Sequence, residues 1–445
     1  VAGTSVYKDL YLIDYNQFTK GKIDYKLVYK KTEGYKSSLL YDDYIYSLSS
    51  KGTSNFCIVR NKITANGIEK SEIVVQEHKN EVIDDFVVTP DGLYYVTTKN
   101  GVEANLYFVK KGKTKKIVLP QKAGKISITL KNKYKTDIWF TISGWISTNQ
   151  RYYFNAKNQT FTEDNLIDIP KYPEFANIVV EEIEIPAKDG KLIPISIIRN
   201  KNFIKNGENN VLLYSYGAYG ISTKPNFQTT FLTWVLNGGI YIVSHVRGGG
   251  EKGDDWYKDG FKDTKANTWG DLIDTAEYLI KEKITKKEKI VIYGGSAGGI
   301  TVGRALTERP DLFKVVICNV GFLNLIKIKD MPNGANNMKE FGNPDNENDF
   351  KNLFKMDAYH HINKGVRYPA CFIDVGMNDA RVPVWNSGKF IAKLREFNIS
   401  SNPLLLSIRY DAGHSSASDE LINRFADYFT FAFWQLGHPD FQVKK

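Results

Sequence analysis

The stretch Val291-Ile292-Tyr293-Gly294-Gly295-Ser296-Ala297-Gly298-Gly299-Ile300 decides the fold of more than half the chain. Ile290 to Tyr293 is an unbroken apolar run, the pattern of a strand covered on both faces. Glycines then bracket a single serine, and Ile300 to Arg309 reads as a helix that Pro310 stops. A strand that turns so abruptly into a helix tolerates only small residues at the corner. Such a G-x-S-x-G elbow displays its serine at a helix N-terminus, where backbone N–H groups favour developing negative charge. The five-residue pattern is weak alone, because glycine and serine are common. The strand–turn–helix context and the four glycines around one serine give it weight.

The chain has 445 residues, enough for two domains with sizeable cores. Its formal net charge is +10, from 60 Lys+Arg against 50 Asp+Glu. A nucleic-acid or membrane binder would gather that charge in a stripe. Here the lysines are scattered, with short clusters only at Lys110–Lys116 and Lys281–Lys289, the second interrupted by Glu282 and Glu288. Solvated surface is the expectation, with no nucleic-acid partner. Cys57, Cys318 and Cys371 are too few and too far apart for a disulfide framework or a zinc cluster, and the last two sit in apolar runs as expected core thiols. This cysteine usage suits a reducing compartment. No apolar run approaches the ~20 residues of a membrane span, and no signal-peptide pattern opens the chain. A cytoplasmic location is expected, or a periplasmic one if the natural start lies upstream of Val1.

The first ~170 residues read as short strands separated by turns. Among them are Tyr44–Leu48, Phe56–Val59, Phe86–Thr89, Leu93–Thr97, Leu106–Val109, Lys116–Leu119, Ile126–Leu130, Ile138–Ile142 and Tyr152–Phe154, with a tight turn at Pro90-Asp91-Gly92. Four-stranded units of ~40–45 residues would make three to four propeller blades, and a sandwich fits the same period. Ile167 to Pro173, with two prolines, reads as a linker. Beyond a hairpin around Ala187–Lys191 the pattern changes. Buried-type strands at Val211–Tyr214, Ile240–Ser244, Ile290–Tyr293, Val315–Cys318, Cys371–Val375 and Leu404–Ile408 alternate with helices at Asp271–Lys281, Ile300–Arg309, Trp385–Phe397 and Ser418–Leu436. That alternation implies a mostly parallel sheet covered on both faces.

A nucleophilic serine needs a base, and the base needs an orienting group. In the α/β-hydrolase arrangement they follow in the order Ser, Asp/Glu, His. Of six histidines, His360, His361, His414 and His438 follow Ser296. His360 and His361 precede every strand-end acid, and His438 lies near the tail. His414 remains, in the glycine-containing loop after Leu404–Ile408, where sites collect in open α/β sheets. Asp379, just past Cys371–Val375, is the natural acid; Asp374, inside that strand, reads instead as a satisfied buried polar group. The Ala297 N–H is one oxyanion donor. The loop Ser215–Gly220 is a source for the second, and the Tyr216 hydroxyl can serve, although with 27 tyrosines in the chain packing competes as its role.

Four segments in order resemble the prolyl oligopeptidase family of serine peptidases: Tyr214–Gly220, Arg247–Glu251, Gly294–Gly299, and Asn378–Pro383 with Ala412-Gly413-His414. The resemblance spans roughly Val179 to the C-terminus. It implies that Ser296, Asp379 and His414 form the triad and that Tyr216 supplies the oxyanion hydroxyl. It places Tyr219 as an aromatic of the substrate pocket and Arg381 as the holder of a peptide carbonyl, with no metal or cofactor. Two departures follow. Prolyl-specific members stack a tryptophan on the substrate proline, whereas Pro332–Gly342 contains none. Phe341 or Met338 is left as apolar lining, and Glu340 as a solvated loop carboxylate or a recognition point for a basic side chain. Members also carry a seven-bladed propeller and an N-terminal segment, whereas ~170 residues suffice for about half a propeller. The chain therefore resembles the C-terminal part of a member, with a missing propeller fragment as a partner.

The combined expectation is an all-β partial β-propeller over residues 1–172, followed by an α/β hydrolase domain over 173–445. Its expected activity is that of a serine oligopeptidase on short peptides, working through an acyl-enzyme, with prolyl specificity as one option. An esterase or aminopeptidase on the same triad, or an inactive scaffold, are the alternatives.

Overall fold

Residues 5–21, 23–64, 67–164, 166, 170–415 and 418–442 are described by a computed structural model, in which the chain divides into two compact units. The first comprises residues 1–170 with 224–227 and 250–256; the second comprises 171–223, 228–249 and 257–445. The expected linker residues Ile167–Ile169 lie outside the described residues.

In the first unit, antiparallel strands follow one another into three successive sheets. The first sheet runs Tyr35–Tyr41, Tyr44–Ser49, Cys57–Thr64 and Glu72–Val75, with the short strand Gly67–Ile68 also paired to Cys57–Thr64. The second runs Val82–Thr89, Gly92–Lys99, Glu103–Lys110 and Lys113–Ile117, and the third Lys125–Leu130, Ile138–Ser143, Gln150–Asn155 and Thr160–Glu163. A two-stranded sheet, Leu10–Leu12 with Lys26–Tyr29, completes the described strands of this unit.

Side-chain alternation in the middle sheet separates the propeller from the sandwich. Leu93 and Tyr95 pack with Leu48 and Ile58 of the first sheet, while Tyr94 and Val96 pack with Ile138 and Phe140 of the third. A sheet buried on both faces against two different sheets is a blade in a radial stack; a sandwich buries one face of each sheet. The first unit is thus an all-β partial propeller.

Two strand boundaries differ from expectation for local backbone reasons. Phe56 has φ +63 and precedes its strand. The expected strand Lys116–Leu119 is instead Lys113–Ile117, because Lys111 (φ +48) and Gly112 (φ +74) close a two-residue hairpin that pairs Lys110 with Lys113. The lysine cluster is that hairpin's exposed edge.

The second unit is built on an eight-stranded sheet: β1 (Ile178–Pro186), β2 (Leu192–Asn200), β3 (Asn210–Tyr214), β4 (Gly239–Ser244), β5 (Ile290–Gly295), β6 (Val315–Asn319), β7 (Ala370–Gly376) and β8 (Leu404–Arg409). Their spatial order is β1-β2-β4-β3-β5-β6-β7-β8. The β1–β2 and β2–β4 pairs are antiparallel and every later pair is parallel. Central strands are buried on both faces, as the continuous apolar runs require: Val211, Leu213, Val291 and Ile292 are all fully enclosed. Helices Ala266–Lys281, Gly298–Glu308, Trp385–Phe397 and Ser418–Gln435 stand close to their expected positions. Thr229–Leu236, Gly334–Phe341 and Glu347–Met356 are helices that the sequence pattern did not disclose. Among the described residues no helix is long and apolar enough to cross a membrane.

Candidate active site

Parallel strands deliver their loops to one edge of the sheet, and the candidate residues all follow strand C-termini there. Ser296 comes after β5, Tyr216 after β3, Asp379 after β7 and His414 after β8. Ser296 occupies the left-handed region at φ +53, between the last residue of β5 and Ala297, the N-cap of helix Gly298–Glu308. A serine seldom rests there, and surrounding bonds hold it. Its N–H donates to Asn319 O (2.9 Å), and its carbonyl accepts from Phe322 N (2.9 Å) and Gly299 N (2.9 Å).

The glycines permit the close approach. A Cβ on Gly299 would stand 2.5 Å from Gly321 Cα, so the elbow helix could not seat against the chain after β6. Gly299→Ala is expected to destabilise the fold by about 1–3 kcal/mol through overpacking, read as a lower denaturant midpoint at unchanged m-value. Gly376 similarly allows the Asp379 and His414 loops to cross, since a Cβ there would press into Gly413 O. Asn378 N donates to Ala412 O (3.0 Å) and Met377 N to Arg409 O (2.9 Å), bracing the two loops.

The side chains these loops present form a continuous chain. Ser296 Oγ lies 3.0 Å from His414 Nε2, and His414 Nδ1 lies 2.7 Å from Asp379 Oδ2. The Asp379 side chain is fully enclosed, and its other oxygen accepts the N–H groups of Arg381 (2.8 Å) and Val382 (2.9 Å). Asp374 is engaged elsewhere: Tyr428 OH donates to it at 2.8 Å and Arg409 Nε reaches both its oxygens at 3.2 Å. His360 and His361 both turn to Asp357.

Ala297 is fully buried, and the Tyr216 ring lies against Gly298 at the start of the same helix. Thr301 Oγ donates to Tyr216 O at 2.9 Å, tying the β3 loop to the elbow helix. Burial pushes the Tyr216 phenol well above its ordinary pKa; Tyr214 and Glu340 add to the shift and Arg381 opposes it. The phenol is therefore a neutral donor throughout the physiological range. Arg381 is exposed, and its guanidinium makes no hydrogen bond or ion pair among the described residues.

Tyr219 (φ +60) is held by its N–H, which donates to Glu340 Oε1 at 2.7 Å, and by its hydroxyl, which donates to Asn337 Oδ1 at 3.2 Å. Two expectations for the neighbouring segment are corrected. Phe341 is fully enclosed, with its ring edge-on to Tyr219 (centroids 5.4 Å), so it backs Tyr219 instead of facing an open site. Glu340 is no solvated loop carboxylate: it sits on helix Gly334–Phe341, is 2 % exposed, and also accepts Tyr257 OH at 2.8 Å. Both of its oxygens are thus committed within the protein. Burial raises its pKa. Asn337 and Lys265, also buried beside this loop, lie in polar sequence with no apolar period to mark them.

Residues 225–439 match the model of the prolyl oligopeptidase family. The chain is 30% identical over 402 residues to a prolyl endopeptidase of Elizabethkingia meningoseptica, covering 89% of this chain and 56% of that protein. It is 28% identical over 411 residues to dipeptidyl aminopeptidase BI of Pseudoxanthomonas mexicana, covering 91% of this chain and 56% of the relative. A solved structure from a study of two prolyl endopeptidases superposes with a TM-score of 0.88 at 27% identity, covering 99% of this chain and 64% of the other. The chain thus spans little more than half the length of the curated relatives it matches. Nearly half of this chain thus matches the prolyl oligopeptidase family, and over most of its length the chain is similar in sequence to a prolyl endopeptidase and in fold to that solved structure.

Proposed function

We propose that this chain is a serine peptidase that cleaves short peptides by acyl transfer. The observation that carries the reading is the Ser296–His414–Asp379 chain, at 3.0 and 2.7 Å, on a strained elbow at a helix N-terminus. With the Asp379 carboxylate at Nδ1, His414 carries its proton there and offers the Nε2 lone pair to Ser296 Oγ–H. Ser296 Oγ attacks the peptide carbonyl as His414 takes the proton. The imidazolium, stabilised by Asp379, returns it to the leaving amine. Water then attacks the acyl-enzyme by the same route in reverse, regenerating Ser296.

Two donors face the oxyanion in this reading: the Ala297 N–H and the Tyr216 hydroxyl, which burial keeps protonated. Tyr216→Phe is expected to lower kcat on the order of 10²-fold with little change in KM, because the hydroxyl acts only once negative charge develops. Tyr219 lines the substrate side chain's pocket. Arg381, exposed and uncommitted, holds a substrate carbonyl or a terminal carboxylate.

Short peptides with Pro, Arg or Ala before the scissile bond, compared with a simple ester, test the reading. Peptide cleavage that Ser296→Ala abolishes supports it. Turnover of the ester alone would leave an esterase, release of single N-terminal residues an aminopeptidase, and inertness toward all of them an inactive scaffold.

A further inference from the structure

Two buried charged side chains that the proposed reaction does not use grip the loop Tyr216–Gly220. Lys265 is 1 % exposed, and its ammonium donates to Gly217 O and to Gly260 O, the latter at 3.1 Å. Glu340, equally enclosed, takes the Tyr219 N–H at 2.7 Å and the Tyr257 hydroxyl at 2.8 Å. A cation thus holds the carbonyl of the residue after Tyr216, and an anion holds the amide two residues further on.

The loop needs such a grip. Tyr219 lies at φ +60, a left-handed conformation that a bulky residue seldom keeps unaided. Buried charge is a poor device for stability alone, since apolar residues of similar volume usually serve better. Its merit is that charge-assisted hydrogen bonds to backbone are shorter and stronger than neutral ones, and so fix geometry. Burial pushes the Lys265 amine down to about 8, with Glu340 opposing the shift, so it remains an ammonium at neutral pH.

We propose that Lys265 and Glu340 are positioning residues which clamp the Tyr216–Gly220 loop, so that the Tyr216 hydroxyl is already aimed at the oxyanion when substrate arrives. This rests on the reading of Tyr216 given above. Lys265, which holds the residue after Tyr216, acts on turnover; Glu340, which holds Tyr219, acts on substrate affinity as well.

A double-mutant cycle tests the clamp. Lys265→Met, Lys265→Arg and Glu340→Gln are made singly and together with Tyr216→Phe; kcat and KM are measured on one short peptide, with hydrogen exchange followed over residues 214–221. Lys265→Met is expected to lower kcat about tenfold or more, with KM changed less than about twofold. In the Tyr216→Phe background the same substitution should cost less than about twofold, because the group it positions is gone. Lys265→Arg, which keeps a charged donor, should recover part of the loss. Exchange protection at Tyr219 and Gly220 should fall in Lys265→Met and Glu340→Gln while β5 stays protected. A merely structural role would lower kcat equally in both backgrounds, and that result overturns the proposal, as do wild-type kcat and protection in the single variants. Should Lys265→Met fail to fold, Lys265→Arg and Glu340→Gln carry the same comparison. If Tyr216→Phe leaves kcat intact, or the chain cleaves no peptide, the functional reading fails by itself. The exchange measurement then decides the clamp: lost protection supports it and unchanged protection overturns it.

Discussion

Replacing Ser296 with alanine is expected to lower kcat for peptide hydrolysis on the order of 10⁶-fold while leaving the protein folded. The effect is large because Ser296 Oγ is the only protein atom in the proposed scheme that forms a bond to substrate carbon. What remains is the contribution of oxyanion donors and substrate binding to attack by water. The fold should persist because the elbow is held by main-chain bonds, to Asn319 O and from Phe322 N and Gly299 N, none of which involves the hydroxyl. Alanine at φ +53 meets the same left-handed strain that serine already bears. Circular dichroism and a thermal melt within a few degrees of wild type would certify that lost activity is lost chemistry.

Asp379→Asn is expected to be the next most damaging change, on the order of 10⁴-fold in kcat with KM nearly unchanged. The magnitude follows from how the carboxylate is held. One oxygen accepts two main-chain N–H groups, from Arg381 and Val382, so in asparagine the amide oxygen must stay there. The NH₂ group then occupies the other position, 2.7 Å from His414 Nδ1. That nitrogen must now accept, which moves the imidazole proton to Nε2 and leaves no lone pair for the Ser296 hydroxyl. Steady-state kinetics on the folded variant check this. A loss of less than about tenfold would show that Asp379 does not set the tautomer.

The parts of this site that could be read from sequence are those fixed by local grammar. An apolar run followed by a glycine corner reads as a buried strand meeting a tight turn, so the placement of Ser296 was legible. Asp379 and His414 were legible because they come directly after strands of the same kind. The order β4 before β3 was not, because it is set by pairing between distant segments. The choice of propeller over sandwich also lay outside the strand period; it became visible only when Tyr94 and Tyr95, neighbours in sequence, were found in different cores. Glu340 and Lys265 were illegible for a related reason. Each lies in a polar stretch that reads as surface, and each is enclosed by what tertiary packing brings to it: Tyr219 and Tyr257 over the carboxylate, Gly217 and Gly260 over the ammonium. Phe341 misled in the opposite sense. Its apolar character suggested lining, but the ring supports Tyr219 from behind.

The central claim is that Ser296 is a nucleophile activated by His414. Treating the folded chain with a fluorophosphonate and locating the adduct by mass spectrometry tests this most directly, because the reagent needs an activated serine and no particular peptide specificity. The account predicts one phosphonyl group per chain, on Ser296, absent in Ser296→Ala and formed far more slowly in Asp379→Asn. A folded protein that takes up no reagent, or takes it up equally in Ser296→Ala, would contradict it.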